Sequence, residues 1–88
     1  MLHVKVLGPG CPRCFALERA ATAALENLRR GQPGLEARLE HVRDPLALQA
    51  YNLLFTPALI VNERVVCAGR VPRAAEIEGW LTEALTPA

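Results

Sequence analysis

Gly8-Pro9-Gly10-Cys11-Pro12-Arg13-Cys14 stands between an apolar run, Leu2 to Leu7, and a stretch with helical periodicity that begins near Pro12. The run reads as a strand. Proline is favoured at the first position of a helix, so Pro12 sets the helix start and Cys11 caps it. A sulfur at Cys11 then lies beside backbone N–H groups that have no partner within the helix. The helix dipole is positive at that end. Arg13 adds a full charge next to it. Both effects favour thiolate over thiol, and the thiolate is the reactive form. Cys14 is one turn further in, within reach of a mixed disulfide formed at Cys11. The pattern is that of a dithiol–disulfide exchange site, with a nucleophile at the helix tip and a resolving thiol behind it. A Cys-x-x-Cys pair can also be half of a zinc site, a soft-metal clamp or two inert thiols.

The rest of the chain narrows those readings. Its 88 residues predict one domain, 1–88. With 51% hydrophobic and 22% charged residues it is globular, with a small core. A net charge of +1 gives no electrostatic reason to expect nucleic acid or an anionic membrane as partner. No apolar run approaches the ~20 residues of a membrane span. Met1 leads straight into a strand, without the basic segment and apolar stretch of a secretory signal, so the expected compartment is the cytoplasm. In that compartment a close cysteine pair is catalytic or metal-binding more often than it is a structural staple.

From the N-terminus, the first helix is expected over Pro12 to Arg30, with Cys14, Leu17, Ala21, Leu25 and Leu28 on its apolar stripe. Cys14 therefore faces the core. Gly31, Pro33 and Gly34 end the helix. Leu35 to Val42 alternates as an edge strand with Leu35, Ala37, Leu39 and His41 on one face. Asp44-Pro45 is an N-cap followed by proline, which predicts a short helix to about Tyr51, closed by Asn52. Pro57 opens a third strand, Asn62-Glu63 turns it, and Arg64 to Ala68 returns as a fourth. Pro72 is expected to open the last helix, with Ala74, Ile77, Leu81 and Ala84 facing inward. His3 and His41 have no ligand-like neighbours in the sequence and read as ordinary strand residues.

The order strand, helix, strand, helix, strand, strand, helix, together with three motifs, resembles a small thioredoxin-fold protein of the thioredoxin-like and glutaredoxin-like redox-active disulfide group. The motifs are Gly10-Cys11-Pro12-Arg13-Cys14 after the first strand, Tyr51 with Thr56-Pro57-Ala58-Leu59, and Val65-Val66-Cys67-Ala68-Gly69-Arg70-Val71-Pro72 followed by Glu76-Ile77. The resemblance implies an α/β thioredoxin fold, βαβαββα, with a four-stranded mixed sheet flanked by three helices. It implies a thiol–disulfide oxidoreductase of the electron-transport kind. Cys11 would attack a substrate disulfide and Cys14 resolve it. Thr56 and a cis Pro57 would hold substrate, with the backbone before Pro57 pairing in β-strand fashion. Pro12 and Arg13 would tune the pKa of Cys11. No cofactor or metal is implied beyond the redox-active pair itself, and the partners would be disulfide-containing proteins and a reductase or other reductant.

The chain departs from typical thioredoxins and glutaredoxins in several respects. Gly10 replaces the tryptophan before the first cysteine, and Pro12-Arg13 replaces Gly-Pro between the two. No acidic residue of the first strand matches the buried carboxylate of thioredoxins. The double glycine that helps glutaredoxins hold glutathione is reduced to Gly69. The rival classes are a soft-metal-binding module on the same cysteines and a thioredoxin-fold adaptor with inert thiols. With only three cysteines, one chain cannot supply an all-cysteine tetrahedral zinc site. Cys67 is left over by the two-cysteine mechanism. It reads either as a small core residue or as a secondary thiol near the active-site end of the sheet, on the same face as Val65.

Overall fold

A computed structural model describes residues 2–8, 10, 12–51 and 55–85. Cys11 and Asn52 lie outside the described residues. The elements follow the expected order: β1 (Leu2–Leu7), α1 (Pro12–Gly31), β2 (Ala37–Val42), α2 (Pro45–Ala50), β3 (Ala58–Val61), β4 (Arg64–Ala68) and α3 (Ala74–Leu85). They build a four-stranded sheet in the order β2-β1-β3-β4. β1 and β2 run parallel, joined by the long crossover through α1; β3 is antiparallel to both β1 and β4.

Alternation along β1 sends Leu2, Val4 and Val6 to one face and His3, Lys5 and Leu7 to the other. The first set joins Leu17, Ala21, Ala24 and Leu25 of α1, Leu59 and Val61 of β3, and Ile77 and Leu81 of α3 in the main core. Full burial of a leucine such as Leu17 or Leu81 stabilises by about 1.5–3 kcal/mol. Leu7, Ala58 and Ile60 form a smaller cluster on the opposite face, flanked by Val42 and Tyr51. Of the three expected flanking helices, two do the covering at full length. α1 and α3 pack on each other and on the same face of the sheet. α2 is only six residues long. Its start is the expected cap: the Asp44 carboxylate accepts from the Leu46 N–H at 2.9 Å.

Several boundaries differ from expectation: β3 begins at Ala58, one residue after Pro57, and α1 runs to Gly31 rather than Arg30. β2 begins at Ala37 rather than Leu35. α3 begins at Ala74, because the Arg73 carbonyl accepts the first helical bond, from the Ile77 N–H at 3.1 Å. Pro72 lies buried ahead of the helix instead of opening it. Ala84 is exposed, and Trp80 and Leu85 pack against the core in its place.

The β3–β4 turn has Asn62 and Glu63 at φ 49° and 67°, the twist that a two-residue hairpin requires. Further along, the ladder slips. Leu59 pairs with Cys67 but Ile60 pairs with Val65, so Val66 is an extra residue on β4. The bulge reverses the expected facing of Cys67. Simple alternation places it with Val65 and opposite Val66; in fact Val66 and Cys67 both pack on the α1/α3 side while Val65 is exposed.

Candidate functional site

The sheet register defines one end of the molecule. Val42, Leu7, Ala58 and Ala68 stand in one row across all four strands. The next residues, Arg43, Gly8, Pro57 and Gly69, form a rim. Backbone hydrogen bonds extend the row onto this rim on both sides: the Gly8 N–H donates to the Val42 carbonyl at 3.1 Å, and the Gly69 N–H donates to the Pro57 carbonyl at 2.9 Å. α1 starts directly above it.

Cys14 is in the first turn of α1 and fully buried, as its place on the apolar stripe predicts. Its sulfur packs against Gly8. A methyl group built on Gly8 would overlap that sulfur and would lie 3.3 Å from Cys14 Cβ and 3.8 Å from Pro57 Cα. The resolving-thiol candidate, the end of the first strand and the proline ahead of the third thus meet at one point. The Thr56–Pro57 peptide bond is cis. Pro57 is buried and Thr56 half-buried. Cys11, the expected nucleophile, lies outside the described residues.

Pro12 and Arg13 are exposed at the helix start. The Arg13 guanidinium reaches across to the β4 side and donates to the Gly69 carbonyl at 2.7 Å. Gly69 has φ +84°, and a Cβ there would sit 3.1 Å from Phe55 Cβ, so a side chain would be strained by the backbone conformation and would crowd Phe55. Phe55, two residues ahead of Pro57, is 67% exposed above this contact.

Sequence reasoning passed over several residues on the other side of the rim. Gly10 has φ +98°, and the Arg43 guanidinium lies over it, 3.6 Å from where its Cβ would be. The same guanidinium sits 5.3 Å from the Phe15 ring centre. Phe15 in turn meets His41 edge to face, with centroids 5.5 Å apart. The His41 side chain is only 7% exposed. Its Nδ1 is 3.6 Å from a Glu18 carboxylate oxygen, and neither ring nitrogen has a hydrogen-bond partner among the described residues. The signal for Arg43 was its position directly after an edge strand parallel to β1, which places it level with Gly8.

Cys67 is one row back from the rim, opposite Leu59, and buried in the main core. Its thiol points to the Arg70 carbonyl at 3.9 Å. On the face of the sheet opposite the main core, Lys5 donates to the Tyr51 hydroxyl at 3.1 Å and to the Glu63 carboxylate at 2.9 Å. Tyr51 also donates to Glu63. These bonds, that to Glu63 first, hold the Lys5 pKa well above its ordinary range. Bonds from Lys5 first and Tyr51 second hold the Glu63 carboxyl below its own.

Among the described residues, no helix is long and apolar enough to cross a membrane. The chain is 28% identical over 82 residues to a thioredoxin of Methanothermobacter thermautotrophicus, a match that covers 93% of this chain and all of that protein. A family model described as a thioredoxin domain matches residues 2–82. With that match spanning the sheet, α1, most of α3 and the rim, the chain belongs to the thioredoxin domain family.

Proposed function

We propose that this protein is a thiol–disulfide oxidoreductase that reduces or exchanges disulfides of protein substrates through the Cys11/Cys14 dithiol, working as one domain in the reducing cytoplasm. The observation that carries the reading is the packing of the buried Cys14 sulfur against Gly8, in the first turn of a 20-residue helix and at the rim where Pro57 also lies. That position keeps Cys14 out of solvent, in the first helical turn and three residues after Cys11 in the sequence. It suits a thiol that reacts only with its neighbour.

In the proposed cycle the Cys11 thiolate attacks one sulfur of the substrate disulfide and expels the other as a thiolate, leaving a mixed disulfide. The Cys14 thiolate then attacks the Cys11 sulfur. This releases the second substrate thiol and leaves a Cys11–Cys14 disulfide. The substrate gains two electrons and two protons, and the dithiol loses them. A reductase or a thiol reductant restores the pair. The helix dipole at Pro12 and the Arg13 charge favour the Cys11 thiolate. The backbone at Thr56, beside Pro57, is the site for β-strand pairing with substrate.

Two variants test the reading. Cys11→Ser abolishes reduction of an insulin-type disulfide substrate. Cys14→Ser accumulates a mixed disulfide with that substrate, visible by mass spectrometry and released by dithiothreitol. Zinc purifying at one equivalent per chain, with no disulfide reduction, would overturn the proposal in favour of metal binding.

A further inference from the structure

The rim carries two guanidinium groups that the dithiol cycle does not use as a pair. We propose that Arg13 and Arg43 together make the site selective for disulfides flanked by carboxylates, one arginine reading each side of the reactive cysteine. The inference rests on the dithiol reading above and names the substrate class for it.

The two arginines reach the active-site turn from opposite edges of the sheet. Arg43 follows the edge strand β2 and lies over Gly10, the residue before Cys11. Arg13 follows Pro12 and is drawn to Gly69, beyond the edge strand β4. Each is held by something other than a carboxylate: Arg43 by the Phe15 ring, Arg13 by a carbonyl. Among the described residues neither forms an ion pair. The nearby acids are engaged elsewhere. Asp44 turns to the Leu46 N–H, Glu18 faces His41, and Glu76 pairs with Arg70 at 3.0 Å. Two positive groups are thus left at the rim, each aimed by its contact, and no acid of the described chain neutralises them.

Their spacing fits an extended peptide. Neighbouring strands are ~4.8 Å apart, so the rim from Arg43 to Gly69 spans roughly 14 Å. An extended chain advances ~3.3 Å per residue, so that span covers about four residues. A substrate segment laid along the rim, with its cysteine at the centre, brings side chains two positions to either side within reach of the two guanidiniums. Aspartate or glutamate at those positions would pair with them, and a guanidinium can bind a carboxylate through two N–H groups. Phe55, exposed beside Gly69, offers an apolar contact at the Arg13 end.

The test uses two peptides of equal length, each closed by a single disulfide. One has glutamate two residues to either side of the reactive cysteine, and the other has glutamine there. For the wild-type chain at low salt, kcat/KM is expected to favour the glutamate peptide by roughly tenfold, about threefold per exposed pair, with the difference in KM. At about 0.5 M NaCl, where charges are screened within a few ångströms, the preference collapses. Arg43→Gln and Arg13→Gln each remove part of it, and the double variant removes all of it. The ratio of the two peptides cancels any change that Arg13→Gln makes to the Cys11 thiolate. Arg43→Glu shifts preference towards a peptide with lysine in those places, which a merely structural role for Arg43 would not do. Equal kcat/KM on both peptides, or a preference that survives in the double variant, overturns this inference alone. Reduction of neither peptide overturns the dithiol reading and the selectivity with it.

Discussion

Gly8 has no side chain because the sulfur of Cys14 occupies the space where one would be. The contact is between the end of β1 and the first turn of α1, so it fixes how deep the helix start sits on the sheet. Gly8→Ala must push the sulfur or the helix aside, because the Cys14 Cβ and the Pro57 backbone close off the other directions. Overpacking of this kind costs about 1–3 kcal/mol. The expected outcome is a lower melting temperature together with at least a roughly tenfold loss of disulfide reduction, since a shifted Cys14 no longer lines up behind Cys11. A thermal melt and an insulin-reduction assay on the same sample check both.

Glu63 gives the fold an acid-sensitive brace. Its carboxyl is held below its ordinary 4.5 by Lys5 and Tyr51, so the brace contributes stability above about pH 4.5. That contribution is lost as the pH falls through the lower folded-state value. Lys5 works in the opposite sense: its raised pKa contributes below 10.5 and is lost only at higher pH, outside the useful range. Glu63→Gln is therefore expected to melt slightly below wild type at pH 7 and to converge with it as the pH falls below 4.5 and through the lowered folded-state value. Because the Glu63 side chain is 61% exposed, added salt should narrow the gap at pH 7. Melting curves across pH and salt measure this.

Gly79 lies inside α3, exposed, with nothing within 4 Å of where a Cβ would be. Glycine in a helix interior costs about 1 kcal/mol relative to alanine. Gly79→Ala should raise stability by about that amount without touching the rim, giving a melting temperature several degrees higher and unchanged disulfide reduction.

Cys67 is distinguished from the other two cysteines by its surroundings. Buried in the main core opposite Leu59, it is expected to behave as packing. Cys67→Ala should lower stability by about 1 kcal/mol, the cost of a small buried group, and leave the redox potential of the Cys11/Cys14 pair unchanged. A shifted potential, measured in a glutathione buffer, would instead make Cys67 a second redox thiol.

Elements with strong local signals were legible from the residues alone. Pro12 and Asp44-Pro45 start helices where they should, and the limits of β1 and β4 follow from Leu2 to Leu7 and Arg64 to Ala68. The apolar stripe of α1 correctly buries Cys14. What the sequence hid depends on distant partners. Pro72 looked like a helix start, but tertiary packing buries it and leaves the helix to begin at Ala74. The bulge at Val66 arises from the register between β3 and β4, which no local pattern encodes, and it turned Cys67 to the opposite face. Arg43 and Phe15 are far apart in sequence and carry no motif; only the parallel pairing of β2 with β1 brings that guanidinium to Gly10.

The extra residue at Val66 also bears on how the molecule avoids sticking to its own copies. β4 is an edge strand, and Arg64, Val65 and Ala68 are exposed along it. A regular edge of that kind offers unpaired amides and carbonyls to any passing strand, and exposed Val65 would strengthen the match. The bulge breaks the two-residue repeat in the middle of the strand and adds local twist, so a second copy cannot continue the ladder in register. The opposite edge, β2, carries Arg38 and Glu40 as a charged pair. Restoring the repeat by deleting Val66 is the change that would expose this chain to edge-to-edge aggregation.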